Sequence, residues 1–172
     1  MKVLALSGSL RAASINSAFC RAAAQLAAPD VAVTVYHGMA QLPLFNPDRE
    51  ASPPPEVVRL RETVAAADAL LIASPEYAHS VSSVMKNALD WLVSFEGAVG
   101  KRVALVNTSP RAHYSHDSLN EILQTMSMDV VVGASLAVPL LGYCRTEDEM
   151  LRSPEVREAV HRIFAALALD SR

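Results

Sequence analysis

The amino-acid sequence predicts an α/β fold in which helices cover both faces of a five-stranded parallel sheet. Short apolar runs alternate with helix-like stretches along the whole chain. Several of these runs are apolar at successive positions, as in strands that are buried on both faces of a parallel sheet. Together the two observations indicate a doubly wound sandwich, in which ligands bind at the carboxyl ends of the strands.

Five apolar runs are the candidate strands, since each is short and rich in valine, leucine, isoleucine or alanine. They comprise residues 3–6, 31–35, 69–73, 103–106 and 130–132. The helix-like stretches comprise residues 16–27, 55–66, 84–93, 118–128 and 153–169. Pro55 suits the first turn of its helix, where a missing N–H group is tolerated. The connection from about His37 to the prolines at 53–55 is long for a structureless loop, which indicates either a binding loop or an element of a subunit interface.

The composition fits one compact domain over residues 1–172, with 51% hydrophobic and 19% charged residues. A net charge of −3, without a basic run, argues against nucleic-acid binding. No apolar run reaches membrane-spanning length, and the apolar stretch at the N-terminus is too short for a signal peptide, so we expect a cytoplasmic protein. Cys20 and Cys144 lie far apart and form no metal-binding pair, which indicates reduced packing residues.

The loop between the first strand and the first helix is rich in hydrogen-bond donors. A strand–loop–helix turn directs backbone N–H groups and the positive end of the helix at one point, where an anion binds well. The side chains that add donors are Ser9, Arg11, Ser14, Asn16 and Ser17. The segment lacks the glycines of a dinucleotide fingerprint and the lysine of a P-loop, which leaves a monophosphate as the expected ligand. The alternative is that the serines only cap the helix.

A second informative segment follows the third strand, at the neighbouring strand end of the same sheet edge. It reads Ser74-Pro75-Glu76-Tyr77-Ala78-His79 and leads into a helix that contains Lys86-Asn87-Ala88-Leu89-Asp90-Trp91. This segment, the first loop with Gly8-Ser9-Leu10-Arg11, and the stretch Leu42-Pro43-Leu44-Phe45-Asn46-Pro47-Asp48 together resemble the NADPH-dependent FMN reductase family of flavodoxin-like proteins. That family carries G-S-L-R-x-x-S-x-N in the first loop and P-E-Y-N before L-K-N-A-I-D-W. The three motifs stand in the expected order and cover about the first hundred residues.

The resemblance implies a flavodoxin-like sheet of order 2-1-3-4-5 and an FMN site on the loops after its strands. It places the FMN phosphate on Ser9, Leu10, Arg11, Ser14, Asn16 and Ser17. It places the isoalloxazine ring along Pro75, Glu76, Tyr77, Ala78 and His79, and Ser109 matches the serine that the family carries after the fourth strand. Homodimers or homotetramers are common in the family.

The activity that the resemblance implies is an FMN-dependent NAD(P)H oxidoreductase. NADPH or NADH delivers hydride to FMN, and electrons then pass to a flavin, quinone, azo or metal-oxyanion acceptor. The cofactor carries this chemistry, so no side chain is assigned to catalysis. The residues expected over the open flavin face are Phe45, Tyr77, His79, His113 and Tyr114.

The sequence departs from the family pattern at three places. Ala78 stands where the family usually has Asn, and Ser82 and Ser83 replace the usual Pro and small residue, which we expect to free the start of the helix. The loop after the fourth strand, residues 108–116, carries Pro110, Arg111 and Tyr114 in place of a glycine-rich turn. Such a loop is bulkier and more cationic, and it could meet the ribose phosphate of a nicotinamide cofactor.

Several other residues favour structural roles. Lys86 and Asp90 have the spacing of a helix-surface ion pair, and Trp91 is expected to anchor the core or an interface. His79, His113 and His116 lack a cysteine or acidic partner at metal-binding spacing, so solvated loop histidines are expected rather than a metal site.

Two other functions stay open. A flavodoxin-type electron carrier would bind FMN without a nicotinamide cofactor, although a net charge of −3 gives only a weak field for docking onto a redox partner. A flavodoxin-like protein that has lost FMN binding is the other, since fold does not fix function. Serine hydrolase chemistry is excluded because the sequence has no G-x-S-x-G elbow.

Overall fold

The computed structural model describes residues 1–109, 111–138, 140 and 144–169. Five parallel strands form the main sheet in the order β2-β1-β3-β6-β7. They are β1 Lys2–Ser7, β2 Ala32–Val35, β3 Ala69–Ala73, β6 Arg102–Val106 and β7 Asp129–Val130. A hairpin of β4 Glu76–Tyr77 and β5 Ser80–Val81 lies outside this sheet. The predicted flavodoxin-like order 2-1-3-4-5 is therefore confirmed, with β6 and β7 as the fourth and fifth strands of the sheet.

Helices cover both faces of this sheet, as predicted. They are α1 Ile15–Leu26, α2 Pro55–Ala66, α3 Ser83–Asp90, α4 His113–Thr125, α5 Glu147–Arg152 and α6 Pro154–Ala168. Alternate residues of β1 contribute to two separate cores. Val3 and Ala5 pack with α1 and α6, whereas Leu4 and Leu6 pack with α2, α3 and α4. All five residues of β3 are buried, as expected for a strand covered on both faces.

Helices α4 and α5 differ from the sequence prediction for different reasons. Helix α4 begins at His113 rather than at Ser118, although Ala112 supplies no side-chain cap. Glu76 of the hairpin caps it instead, since its Oε2 accepts a hydrogen bond from the backbone N–H of Ser115 at 2.9 Å. Helix α5 was not predicted, although Thr146 and Glu149 form a capping box, which is a local signature.

The long connection after β2 is held by α3. The carbonyl oxygen of Pro43 accepts hydrogen bonds from Asn87 Nδ2 at 3.0 Å and from Trp91 Nε1 at 2.8 Å. The backbone N–H of Phe45 donates to Asn87 Oδ1 at 2.8 Å, and the Phe45 ring meets the Trp91 ring edge to face. Trp91 is completely buried, so the expectation of a core anchor is confirmed.

Both cysteines are buried and free, as predicted. Burial raises the pKa of the Cys20 thiol to about 12, and burial also raises the pKa of Cys144. Both thiols are therefore packing groups at neutral pH. None of the helices in the described part of the chain is long and apolar enough to cross a membrane.

Candidate active-site cleft

A cleft of about 300 Å³ opens at the carboxyl ends of β1, β3 and β6. Three loops supply its walls: the loop before α1, the segment that leads into the β4–β5 hairpin, and the loop before α4. Its lining residues are Ser9, Arg11, Ala13, Ser14, Ile15, Asn16, Ser74, Pro75, Glu76, Tyr77, Thr108, Ser109, Arg111, Ala112 and Arg145. The cleft thus lies at the sheet edge where a doubly wound fold binds its ligands.

Gly8 lets the first two loops approach each other closely. A Cβ atom at this position would lie 2.3 Å from Ser74 Oγ and 2.8 Å from Ser82 Oγ, which is too close for any side chain. Ser82 Oγ also donates a hydrogen bond of 2.7 Å to the carbonyl oxygen of Gly8. The expectation that Ser82 frees the start of its helix is therefore wrong, since the same hydroxyl accepts from Met85 N and caps α3.

Hydrogen bonds between serine side chains shape the first loop. Ser17 Oγ lies 2.8 Å from Ser7 Oγ and donates to the carbonyl oxygen of Ser9 at 3.3 Å. Ser14 is the N-cap of α1, and its Oγ accepts from the backbone N–H of Ser17. Because this contact uses Ser14 Oγ as an acceptor, its hydroxyl proton is free to donate into the cleft.

The first turn of α1 offers donors to the cleft. The backbone N–H groups of Ile15 and Asn16 meet no acceptor among the described residues, as expected at a helix N-terminus. The Asn16 side chain is buried, and its Oδ1 accepts a 2.9 Å hydrogen bond from Thr108 Oγ1. This contact fixes the amide and leaves its Nδ2 as a donor. The arrangement suits an anion, with Thr108 of the third loop setting the orientation of Asn16.

The second wall is a hairpin with a strained tip. Ala78 and His79 both have positive φ, at 50° and 55°. Two such residues in succession match a tight hairpin turn that normally uses Asn or Gly, because side chains with a Cβ disfavour this region. Ala78, which replaces the family's Asn, therefore occupies a position where Asn would be more favourable.

An aromatic stack supports the hairpin from the side of α4. The His79 ring lies 4.5 Å from the Tyr114 ring, and the His113 ring lies 4.1 Å from Tyr114 on the same helix. His113, Tyr114 and His116 lie in α4 rather than in the predicted loop, because that helix starts early. Within the described residues no three histidine, cysteine or acidic side chains are grouped as metal ligands.

The third wall is organised by Asn107, which sequence reasoning did not single out. Its Nδ2 donates to the carbonyl oxygen of Ala112 at 3.1 Å, and its Oδ1 accepts from the backbone N–H of Ser109 at 3.0 Å. The amide thus spans the loop before α4. Pro110, to which the sequence assigned part of the bulk of this loop, lies outside the described residues.

The cleft is electropositive. Three of its lining residues, Arg11, Arg111 and Arg145, carry a guanidinium group, and Glu76 carries the acidic side chain. In the described part of the chain none of the three arginines forms an ion pair, whereas Glu76 accepts from the N-terminus of α4. An anionic ligand would meet uncompensated positive charge here.

The structure brings eight of the twelve predicted site residues together in the cleft. They are Ser9, Arg11, Ser14, Asn16, Pro75, Glu76, Tyr77 and Ser109. Leu10 is exposed and lies with Ser17 on the other side of the first loop, along a second depression. Ala78 and His79 lie at the exposed hairpin tip. Sequence reasoning missed Thr108 and Arg145 as lining residues, since long-range contacts bring both to the cleft.

Fold and site together define a flavodoxin-like α/β protein with a cationic cleft at the carboxyl ends of its strands. The chain belongs to the NADPH-dependent FMN reductase family, whose model matches residues 1–141. It is 47% identical over 92 residues to an NAD(P)H-dependent FMN reductase of Pseudomonas aeruginosa, a match that covers 53% of this chain and 49% of the relative. It is 32% identical over 138 residues to a quinone reductase of Escherichia coli, covering 78% of this chain and 64% of the relative.

The chain thus spans about half the length of several curated relatives that it matches. Among solved structures, the flavoenzyme NAD(P)H:(acceptor) oxidoreductase FerB of Paracoccus denitrificans superposes with a TM-score of 0.73 at 23% identity. That match covers 96% of this chain and 98% of FerB. A likeness at this identity establishes the shared fold.

Proposed function

We propose that the protein is an FMN-dependent NAD(P)H oxidoreductase that passes electrons to a small-molecule acceptor. The observation that carries the proposal is the cleft, where Ser14, Asn16 and the first turn of α1 converge beside the β4–β5 hairpin. Family membership supports the same reading, because relatives are named NAD(P)H-dependent FMN reductase and quinone reductase.

The residues of the first loop fit the phosphate of FMN. Unpaired N–H groups of Ile15 and Asn16 within the described chain, the Ser14 hydroxyl and the Asn16 amide are the donors that a phosphate needs. Arg11 adds a cation at the rim. The site carries these donors in fixed positions, so little reorganisation is needed when a phosphate binds.

The second and third loops fit a flat ring with one polar edge. Pro75 and Tyr77 offer apolar surface, while the backbone of the hairpin and the Ser109 hydroxyl offer hydrogen-bonding groups. Glu76 holds the start of α4 against this wall through Ser115. The chemistry that FMN supplies when bound is hydride acceptance from NADPH or NADH, followed by electron transfer to a second substrate.

The protein's own part in this reaction is to bind the cofactor, to orient it and to shield it. Ser14, Asn16 and the first turn of α1 would hold the phosphate of FMN, and the hairpin would orient its ring for the hydride donor and the electron acceptor. Half-exposed Tyr77 and Tyr114 flank the approach from the hairpin side. No described residue of the cleft is assigned a proton-transfer or nucleophilic role.

Flavins, quinones, azo compounds and metal oxyanions are the proposed acceptors. Quinones have direct support from curated relatives named quinone reductase. The exposed stack of His79, Tyr114 and His113 beside the cleft offers aromatic surface to planar acceptors. A comparison of a quinone with ferricyanide and chromate, under equal NADPH, measures this preference.

The test of the proposal is anaerobic reduction of bound flavin. Purified protein is incubated with FMN, freed of excess and treated with NADPH or NADH while the visible flavin band is recorded. Bleaching by either dinucleotide supports the proposal. Retained FMN without bleaching would indicate an electron carrier, and no retained FMN would indicate loss of the cofactor site. Asn16→Ala is expected to weaken retention, with Asn120→Ala on α4 as the matched control.

Assembly and location belong to the same proposal. We expect a homodimer or homotetramer in the cytoplasm, folded as one domain over residues 1–172, without a nucleic-acid or membrane partner. Light scattering coupled to gel filtration, with and without FMN, gives the subunit number. A monomer under both conditions would contradict the assembly.

A further inference from the structure

Arg145 brings a positive charge to the cleft from a part of the chain that the family pattern does not include. The family model ends at residue 141, and Arg145 follows it by four positions. Arg145 nevertheless lines the same cleft as Ser14 and Asn16. No motif in the sequence predicted this placement.

Two sets of contacts hold the segment of Arg145 against the loop after β6 and against α1. The backbone N–H of Leu140 donates to the carbonyl oxygen of Thr108 at 3.1 Å, and Thr108 in turn donates to Asn16. On the other side, Glu147 of α5 accepts hydrogen bonds from Arg21 Nε and Gln25 Nε2 of α1. Arg145 thus lies between two contact points, one on the loop after β6 and one on the second half of α1.

The backbone of Arg145 is fixed, whereas its guanidinium group is uncommitted within the described structure. Glu149 Oε2 accepts the backbone N–H groups of Arg145 at 2.8 Å and of Thr146 at 2.9 Å. These hydrogen bonds lower the pKa of Glu149 and occupy its carboxylate. No described carboxylate pairs with the Arg145 side chain. An exposed cation of this kind is available to a ligand phosphate.

We infer that Arg145 is a phosphate-binding residue that adds a cation to the anion cradle formed by Ser14, Asn16 and the first turn of α1, and that it makes the cleft select FMN over riboflavin. The inference rests on the proposed function, since it assigns the phosphate of that cofactor. Two cations of the cleft lining, Arg11 from the first loop and Arg145 from the segment before α5, would share the charge of the phosphate.

The experiment compares ligands that differ only in the phosphate. Dissociation constants of FMN and riboflavin are measured by fluorescence titration of the flavin-free protein and of Arg145→Ala, Arg145→Lys and Arg152→Ala. Arg152 lies on α5 outside the lining of the cleft, so its variant controls for loss of one positive charge in the same segment. Thermal unfolding of each variant verifies that the exposed substitution leaves the fold intact.

The expected result is specific to the phosphate. Arg145→Ala weakens FMN binding by about tenfold or more and changes riboflavin binding by less than about twofold, as for loss of a charge-assisted hydrogen bond. The FMN affinity of Arg145→Lys falls between those of Arg145→Ala and the unmodified protein. The affinity of Arg152→Ala matches that of the unmodified protein. Equal weakening of both flavins, or no change in either, would overturn the assignment.

Failure of the proposed function gives a separate result. If the unmodified protein binds neither flavin, inorganic phosphate is titrated while the amide resonances of Ile15 and Asn16 are followed by NMR. Shifts that weaken in Arg145→Ala, but not in Arg152→Ala, would retain Arg145 as an anion-binding residue while removing the flavin. Shifts of equal size in all three proteins, or no shifts in any of them, would reject Arg145 as an anion-binding residue.

Discussion

The first loop and the β4–β5 hairpin face each other across one cleft but are stabilised in different ways. In the first loop, Ser7, Ser17 and the N-cap Ser14 satisfy one another and the backbone through short local hydrogen bonds. In the hairpin, Ala78 and His79 hold unfavourable backbone angles, and contacts from α4 compensate. One wall is fixed by its own sequence and the other by its neighbours, which makes the second more sensitive to remote substitutions.

The largest expected effect comes from the point where the two walls meet. Gly8→Ala places a methyl group against Ser74 and Ser82, and both loops must move apart. We expect a loss of about 1–3 kcal/mol of unfolding free energy and loss of FMN binding. Gly133→Ala is the control, since its Cβ would lie 3.5 Å from Ala166 in ordinary contact. Urea unfolding and flavin titration measure both effects, and wild-type behaviour of Gly8→Ala would contradict the close approach.

The second effect comes from the contact between the hairpin and the start of α4. Glu76→Ala leaves the N–H of Ser115 without its acceptor and removes a negative charge from the N-terminus of α4. We expect a loss of about 1–2 kcal/mol, whereas Glu76→Gln keeps an acceptor oxygen and loses less. Chemical unfolding measures the loss of stability, and faster hydrogen exchange at His113 to Ser115 would locate that loss at the start of α4. Unchanged exchange there would show that Glu76 does not cap the helix.

A third substitution tests the local network of the first loop. Ser17→Ala removes the hydroxyl that joins Ser7 to Ser9, with an expected loss of about 1 kcal/mol and weaker FMN binding. Ser118→Ala on α4 is the control, because the Ser118 hydroxyl makes no hydrogen bond with a described residue. Equal effects of the two substitutions would remove the role assigned to Ser17.

The smallest effect is a gain in stability at the hairpin tip. Ala78→Gly accepts the φ of 50° without a Cβ penalty, so we expect a gain of about 0.5–1 kcal/mol. Ala24→Gly inside α1 should have the opposite sign, with a loss of about 1 kcal/mol. Thermal unfolding of the two variants gives the comparison, and a loss in Ala78→Gly would mean that the tip is not strained.

The same contrast explains what could be predicted from sequence. The sheet order, α2 and the start of α1 depend on local apolar runs and on Ser and Asn at a helix start, and the sequence predicts them correctly. The sequence did not predict the hairpin, because Ala78 and His79 are not typical turn residues. The start of α4 was not predicted because Glu76, which caps it, lies 39 residues before its hydrogen-bond partner Ser115. The position of Arg145 in the cleft was not predicted for the same reason, since tertiary contacts bring its segment to α1.

The fifth strand of the sheet is interrupted, which has a consequence for contacts between copies. After the two residues of β7, a 3₁₀ turn at Val132–Ala134 interrupts the strand, and pairing resumes at the bridge between Ala137 and Asn107, the residue that follows β6. A flat outer strand offers a row of free backbone groups on which another chain can add a strand and start aggregation. The turn breaks that row, so this side of the sheet is a poor template for intermolecular pairing.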